Sequence, residues 1–131
     1  MTIKRLNPDT LHKNPAFTQV AVVDQPTKLV YVGGQNGVNA KGEVVGEDIA
    51  SQSVQAYKNV IAALEAAGAT MADVFKMTIY MVQGQSFADG YAAIMPLIEP
   101  KTPPPTVSGI MVGGLANPKY LIEIEAVAAI D

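Results

Sequence analysis

Apolar and acidic residues alternate through Leu121-Ile122-Glu123-Ile124-Glu125-Ala126-Val127-Ala128, the most regular pattern in the chain. Successive side chains of a strand point to opposite faces, so Ile122, Ile124 and Ala126 share one face and Glu123, Glu125 and Val127 the other. The plainest arrangement puts Ile and Ala on a core and the glutamates in water. A segment this apolar is packed rather than loose, so the sheet face carrying the two carboxylates is one that something else covers or lines. The same period divides Phe75, Met77, Ile79 and Met81 from Val74, Lys76, Thr78, Tyr80 and Val82, which predicts a strand over 74–82 with its methionines in the core. A different period governs the middle of the chain. Ala50, Val54, Tyr57, Ile61 and Leu64 recur at spacings of four and three, which predicts a helix from an Asp48 N-cap to Ala67, stopped by Gly68.

The remaining elements are shorter. Ile3 to Leu6 reads as an edge strand ended by Asn7-Pro8-Asp9. Phe17 to Val23 and Lys28 to Val32 are rich in β-branched residues and are joined by Asp24-Gln25-Pro26-Thr27, which predicts a hairpin with a longer loop. Gly33-Gly34-Gln35-Asn36-Gly37 lacks the lysine of a phosphate loop and the spacing of a dinucleotide loop, so it reads as a turn or bulge where another group approaches closely. Lys41-Gly42 marks a second turn. Ser86 and Asp89 form a capping pair opening a helix over 87–98, which Gly90 and Pro96 shorten or kink. Pro100 and Pro103-Pro104-Pro105 form a stiff connector to a strand over 106–112. After the turn Gly113 to Pro118, Leu121 to Ile130 completes the sheet. The order predicts one α+β domain over 1–131, a six-stranded sheet with two helices on one face. The other face has no cover within the chain, and its apolar residues beside Glu123 and Glu125 are expected to pack on copies of the same chain.

Composition narrows the chemistry. The chain of 131 residues is 49% hydrophobic and 16% charged, rather apolar for a small monomer and consistent with self-association. It has no cysteine and one histidine, His12, which excludes a thiol nucleophile, a disulfide framework and a multi-histidine metal site within one chain. His12 falls in a polar loop and reads as a surface residue. A net charge of -3 and a single arginine, Arg5, offer little to a phosphate backbone, so nucleic acid is not an expected partner. No apolar run approaches the length of a membrane span or signal segment, and the expectation is a soluble cytoplasmic protein. No motif calls for a cofactor.

These elements together resemble the RidA/YjgF family of enamine and imine deaminases, also labelled L-PSP endoribonucleases. The resemblance covers nearly the whole chain: Asn14-Pro15-Ala16-Phe17-Thr18-Gln19-Val20, the Gly33-Gly34-Gln35 turn, a helix carrying Gln52, Asn59-Val60 and Leu64-Glu65-Ala66-Ala67-Gly68, then Asp73 to Tyr80, and Ile122 to Ala128. Each motif alone is weak, and their order is specific. The resemblance implies a chorismate-mutase-like fold assembled as a homotrimer, with clefts at the subunit interfaces that take a small-molecule ligand.

In deaminating members an arginine before the penultimate strand grips the substrate carboxylate and a glutamate on the last strand holds the attacking water. Such a pair suits the chemistry, because a guanidinium positions an acid while a fixed carboxylate orients or deprotonates water. By resemblance Glu123 takes the catalytic position and Gly34 lines the cleft. Phe17 stands where the family often has tyrosine, Gly33 where it often has serine, and Tyr91 where a small asparagine is usual. Pro105, followed by Thr106 and Val107, stands where deaminases carry the arginine. Lys101 supplies charge without the planar fork. Three functions follow: hydrolysis or deamination of a related imine or enamine with a different anchor, a non-catalytic trimer binding a metabolite or protein in the same cleft, and, least supported by the charge balance, a ribonuclease.

Overall fold

The computed structural model describes residues 1–131. Six strands and two α-helices follow one another: β1 (Thr2–Leu6), β2 (Val20–Asp24), β3 (Lys28–Asn36), α1 (Ile49–Ala66), β4 (Val74–Val82), α2 (Phe87–Ile94), β5 (Thr106–Val112) and β6 (Ile122–Ile130). The α+β class, the six strands and the two helices are as the sequence predicts. Their pairing differs in two respects: the strands do not form one six-stranded sheet, and β2 does not pair with β3. Four strands form the main sheet in the order β3-β6-β4-β5, while β1 and β2 pair with each other as a separate antiparallel ribbon. The expected hairpin of β2 with β3 does not form, because β3 pairs along its length with β6, which brings a matching run of nonpolar residues from the far end of the chain.

β6 lies centrally, antiparallel to both neighbours, with Ile122, Ile124, Ala126 and Ala128 buried. The parallel pair β4–β5 is bridged by α2, as a parallel connection requires. β4 departs from strict alternation at its start. The register with β6 slips between Val74 and Lys76, and this bulge brings Val74 onto the same buried face as Met77 and Met81.

α1 opens on Asp48, whose carboxylate accepts the Ser51 N–H at 2.8 Å. It closes in a Schellman turn: Gly68, at φ +78°, donates to Glu65 O, and Ala69 donates to Leu64 O. Its buried face is rotated from the predicted stripe. Ile49, Gln52, Ser53, Ala56, Tyr57, Val60 and Leu64 face inward, whereas Ala50 is exposed and Val54 and Ile61 lie at the margin. Two polar residues on the inward face displaced the apolar reading. Val60 and Leu64 are fully buried, each contributing roughly 1.5–3 kcal/mol. α2 ends at Ile94 and passes into a 3-10 turn, Met95–Leu97, that places Pro96 where its missing N–H costs nothing.

Both helices cover one face of the main sheet. The opposite face carries Lys76, Thr78 and Tyr80 of β4, Ile110 of β5, Glu123, Glu125 and Val127 of β6, and Tyr31 of β3, which is 73% exposed.

Candidate functional site

The last turn of β3 and the start of β6 build a fixed carboxylate. Pairing between the two strands breaks between Val32 and Gln35, so that Gly33 and Gly34 form an irregular step in the ladder. Gly34 lies against Glu123: a Cβ there would come 2.6 Å from Glu123 Cδ and 2.7 Å from Oε2. A Cβ on Gly33 meets nothing within 4 Å. Close approach, rather than a left-handed backbone, is what makes residue 34 glycine.

Asn36 holds the carboxylate from the side. Its Nδ2 donates to Glu123 Oε1 at 3.2 Å and to Ile122 O at 2.9 Å. Asn36 is itself anchored to the helix layer, because Asn59 of α1 donates to Asn36 O at 3.1 Å and Val38 O at 2.8 Å, and Gln55 donates to Asn59 Oδ1 at 2.8 Å. A continuous run of amides thus leads from α1 to one carboxylate oxygen. Glu125, two residues along, has a different partner: Tyr80 OH donates to its Oε1 at 3.0 Å. That hydrogen bond, with lesser effects of desolvation and the charges of Glu125 and Glu123, holds the Tyr80 phenol above the usual tyrosine range. One glutamate is thus held by an amide and the other by a phenol.

The other residues singled out in the sequence gather on the helix-covered face. Segment 15–17, the proline run, α2 and strands β4–β5 enclose two adjoining cavities of about 140 and 330 Å³. Phe17, Tyr91 and Val107 line both, and Pro105 closes the smaller one. Thr18, buried below them, donates its N–H to Pro105 O at 2.9 Å and its hydroxyl to Pro104 O at 2.8 Å, which pins segment 15–17 to the connector. The His12 ring packs edge-on against Phe17, centroids 5.7 Å apart. Tyr57 lines the smaller cavity, and burial, aided by Tyr91, raises its phenol pKa. No Asp, Glu, Lys, Arg or His lines either cavity.

The structure therefore divides the candidates into two groups. Gly33, Gly34 and Glu123 lie on β3 and β6 at one place, with the Glu123 side chain on the uncovered face of the sheet. Phe17, Tyr91, Pro105 and Val107 gather on the other face. Thr106 joins neither, since it lies opposite Lys76 and its hydroxyl donates to Phe75 O at 2.8 Å. Asn36, Asn59 and Gln55 were not picked out as site residues by the sequence reading. The nearest signal was Asn36 inside the glycine-rich turn, a polar residue that a bulge turns toward the neighbouring strand. Arg5 is committed elsewhere, donating to Ala72 O at 3.0 Å and Val74 O at 3.2 Å. Val74 is six residues from Tyr80, the β4 residue opposite Glu123, roughly 20 Å along a strand. No three potential metal ligands come together in the chain, and no helix is long and apolar enough to cross a membrane.

Comparison with known proteins adds relatives. The family model described as Endoribonuclease L-PSP matches residues 9–130. A RutC family protein of Pyrococcus horikoshii is 36% identical over 105 residues, covering 76% of this chain and 78% of that protein. A 2-iminobutanoate/2-iminopropanoate deaminase of Dermatophagoides farinae is 34% identical over 109 residues, covering 82% of each. Among solved structures, the conserved Rid family protein YyfB of Yersinia pestis has a TM-score of 0.86 at 34% identity, over 99% of this chain and 100% of that one. The YjgF gene product of E. coli has a TM-score of 0.70 at 33% identity, over 82% and 84%.

Proposed function

The chain belongs to the RidA/YjgF family, to which the endoribonuclease L-PSP model also refers, and we propose that it hydrolyses a small imine or enamine in a cleft between copies. The observation that carries this reading is the Glu123 carboxylate, one oxygen held by Asn36 and the other lying over Gly34. Relatives at this level of identity include proteins named as imine deaminases. The two groups of site residues lie on opposite faces of the sheet, so a site using both takes Glu123 and Gly34 from one copy and Phe17, Tyr91, Pro105 and Val107 from another. A homotrimer in which the uncovered face of one copy meets the β5 edge of the next, where Pro105 and Val107 lie, supplies that arrangement.

In this site Glu123 takes a proton from water as the oxygen attacks the C=N carbon and passes that proton to the imine nitrogen, giving a carbinolamine. Glu123 then carries the hydroxyl proton to the amine as the C–N bond breaks, leaving a carbonyl and a free carboxylate: one water is consumed and one ammonia released. The Asn36 amide keeps the carboxylate from rotating away, which preserves the geometry that a general base needs.

The test measures ammonia release from imines generated in situ, together with particle size by light scattering. Wild type is expected as three chains per particle with turnover, and Glu123→Gln as the same particle without it, since shape and hydrogen bonding nearly persist. An active Glu123→Gln trimer removes Glu123 from the mechanism. A folded monomer refutes the shared cleft. The competing reading, a trimer that binds such molecules without converting them, draws on Pro105 in place of a charged clamp; it gains if ligands bind wild type and no imine is turned over.

A further inference from the structure

We infer that the molecule taken up here is a neutral imine with an apolar body, carrying one neutral hydrogen-bond acceptor at the end remote from its C=N and meeting the Ser53 hydroxyl. The inference rests on the hydrolytic reading above and names its substrate class. Three observations lead to it.

The first is charge. The larger cavity, about 330 Å³, is at the small end of the roughly 300–1,000 Å³ of ligand pockets, and its walls hold no charged side chain. A carboxylate entering it would shed water and find no cation. Arg5, the one arginine, is held beside the start of β4, where its Nη2 donates to Ala72 O and Val74 O. Lys101 is exposed and lines neither cavity.

The second is an unpartnered hydroxyl. Ser53 lies on the inward face of α1, 1% exposed, and lines this cavity. Its Oγ has no hydrogen-bond partner in the protein, not even the carbonyl one turn back that helical serines commonly use. Leaving a buried hydroxyl unpaired costs stability, which a bound acceptor restores.

The third is the glycine opposite. A Cβ on Gly90 would come 3.0 Å from Ser53 Oγ and 3.2 Å from Met81 Cε. Gly90 also lines the cavity, and a side chain there would sit against the hydroxyl and cover it. A polar atom is offered at the depth of an otherwise apolar space.

Cyclohexanone and tetrahydropyran-4-one are stable ketones of nearly the same shape, standing in for the imines; the second has an ether oxygen opposite its carbonyl. Their titration against wild type by calorimetry, beside the anion 2-oxobutanoate, tests the proposal. The expected result is tetrahydropyran-4-one bound about fivefold tighter than cyclohexanone, against their order of hydrophobicity, with both at least tenfold tighter than 2-oxobutanoate. Ser53→Ala is expected to abolish the difference between the ketones while melting no lower than wild type, since it removes an unsatisfied group. No binding of either ketone, 2-oxobutanoate binding as tightly as either, or an unchanged ketone ratio in Ser53→Ala overturns the inference. Turnover is read separately. Ketones bound as expected with no ammonia from cyclohexanone imine sink the hydrolytic reading and leave the ligand class standing.

Discussion

A methyl group placed on Gly34 tests the fixed carboxylate most directly. The new Cβ would lie 2.6 Å from Glu123 Cδ, 2.7 Å from Oε2 and 2.9 Å from Cγ, whereas nonbonded carbons settle at about 3.5–4.0 Å. β3 is paired to β6 on both sides of the irregular step at Gly33 and Gly34, so the side chain yields rather than the strand, by about 1 Å. That movement stretches the 3.2 Å bond from Asn36 Nδ2 to Oε1 beyond useful length. Misplacing a reacting group by about 1 Å costs roughly 100-fold in rate, or about 2.7 kcal/mol of barrier. Gly33→Ala is the control, because its Cβ meets nothing within 4 Å and its backbone is not left-handed. Two readouts are needed: ammonia release, and the chemical shift of the Asn36 side-chain amide, which reports the contact without any substrate. Gly34→Ala is expected to lose both while Gly33→Ala keeps both. An unshifted Asn36 amide in Gly34→Ala, with turnover within twofold of Gly33→Ala, refutes the argument.

Gln52, 1% exposed, donates to Gly46 O and Lys119 O and accepts from Leu121 N; Gln52→Leu is expected to lower unfolding stability by roughly 2–4 kcal/mol, and a loss below about 1 kcal/mol in urea denaturation contradicts that role. Pro105→Arg keeps the carbonyl that Thr18 uses and adds a cation at the smaller cavity; turnover of amino-acid-derived imines is expected to rise at least tenfold over wild type, and no gain means that the missing charge is not what limits them. Burial raises the Tyr57 pKa above its ordinary value near 10, so the folded state favours the neutral phenol. The stability this confers is complete below about pH 10 and lost as pH rises through the folded value. Melting temperatures measured from pH 8 to 11 are expected to fall less steeply in Tyr57→Phe than in wild type, and equal slopes count against it.

What the sequence disclosed followed from regular period. The alternation in 121–128 predicted the two faces of β6, and both Ile residues are buried with Glu123 and Glu125 opposite. Asp48 and Gly68 marked the limits of α1 because each performs a local task that neighbours do not alter. Period failed where long-range pairing or a polar core residue intervened. Nothing near Phe17 to Val32 announces that β3 pairs with a strand nearly a hundred residues on, and Val74 changes face only through a bulge. Gln52 and Ser53 are invisible to a hydrophobic pattern although both are buried. The same applies to the candidate site: Glu123 and Gly34 were legible by resemblance, but the Asn36 and Asn59 amides that hold the carboxylate show only when α1, β3 and β6 are assembled.

The separation of the acid from the apolar cavity has a physical reason that bears on the proposed assembly. A glutamate opening directly into an uncharged cavity of the same chain would be desolvated from the moment of folding, and would protonate or oppose the packing around it. Here the sheet lies between them. Each chain folds with Glu123 held by Asn36 on the uncovered face and with Ile122 and Ile124 closing the cavity from the other side of β6. In the proposed trimer the acid of one copy meets the apolar wall of the next only after both have folded, so the desolvation that activates the base is deferred to association. On that proposal the apolar area buried between the copies offsets the cost, and the reactive arrangement exists only in the assembled particle.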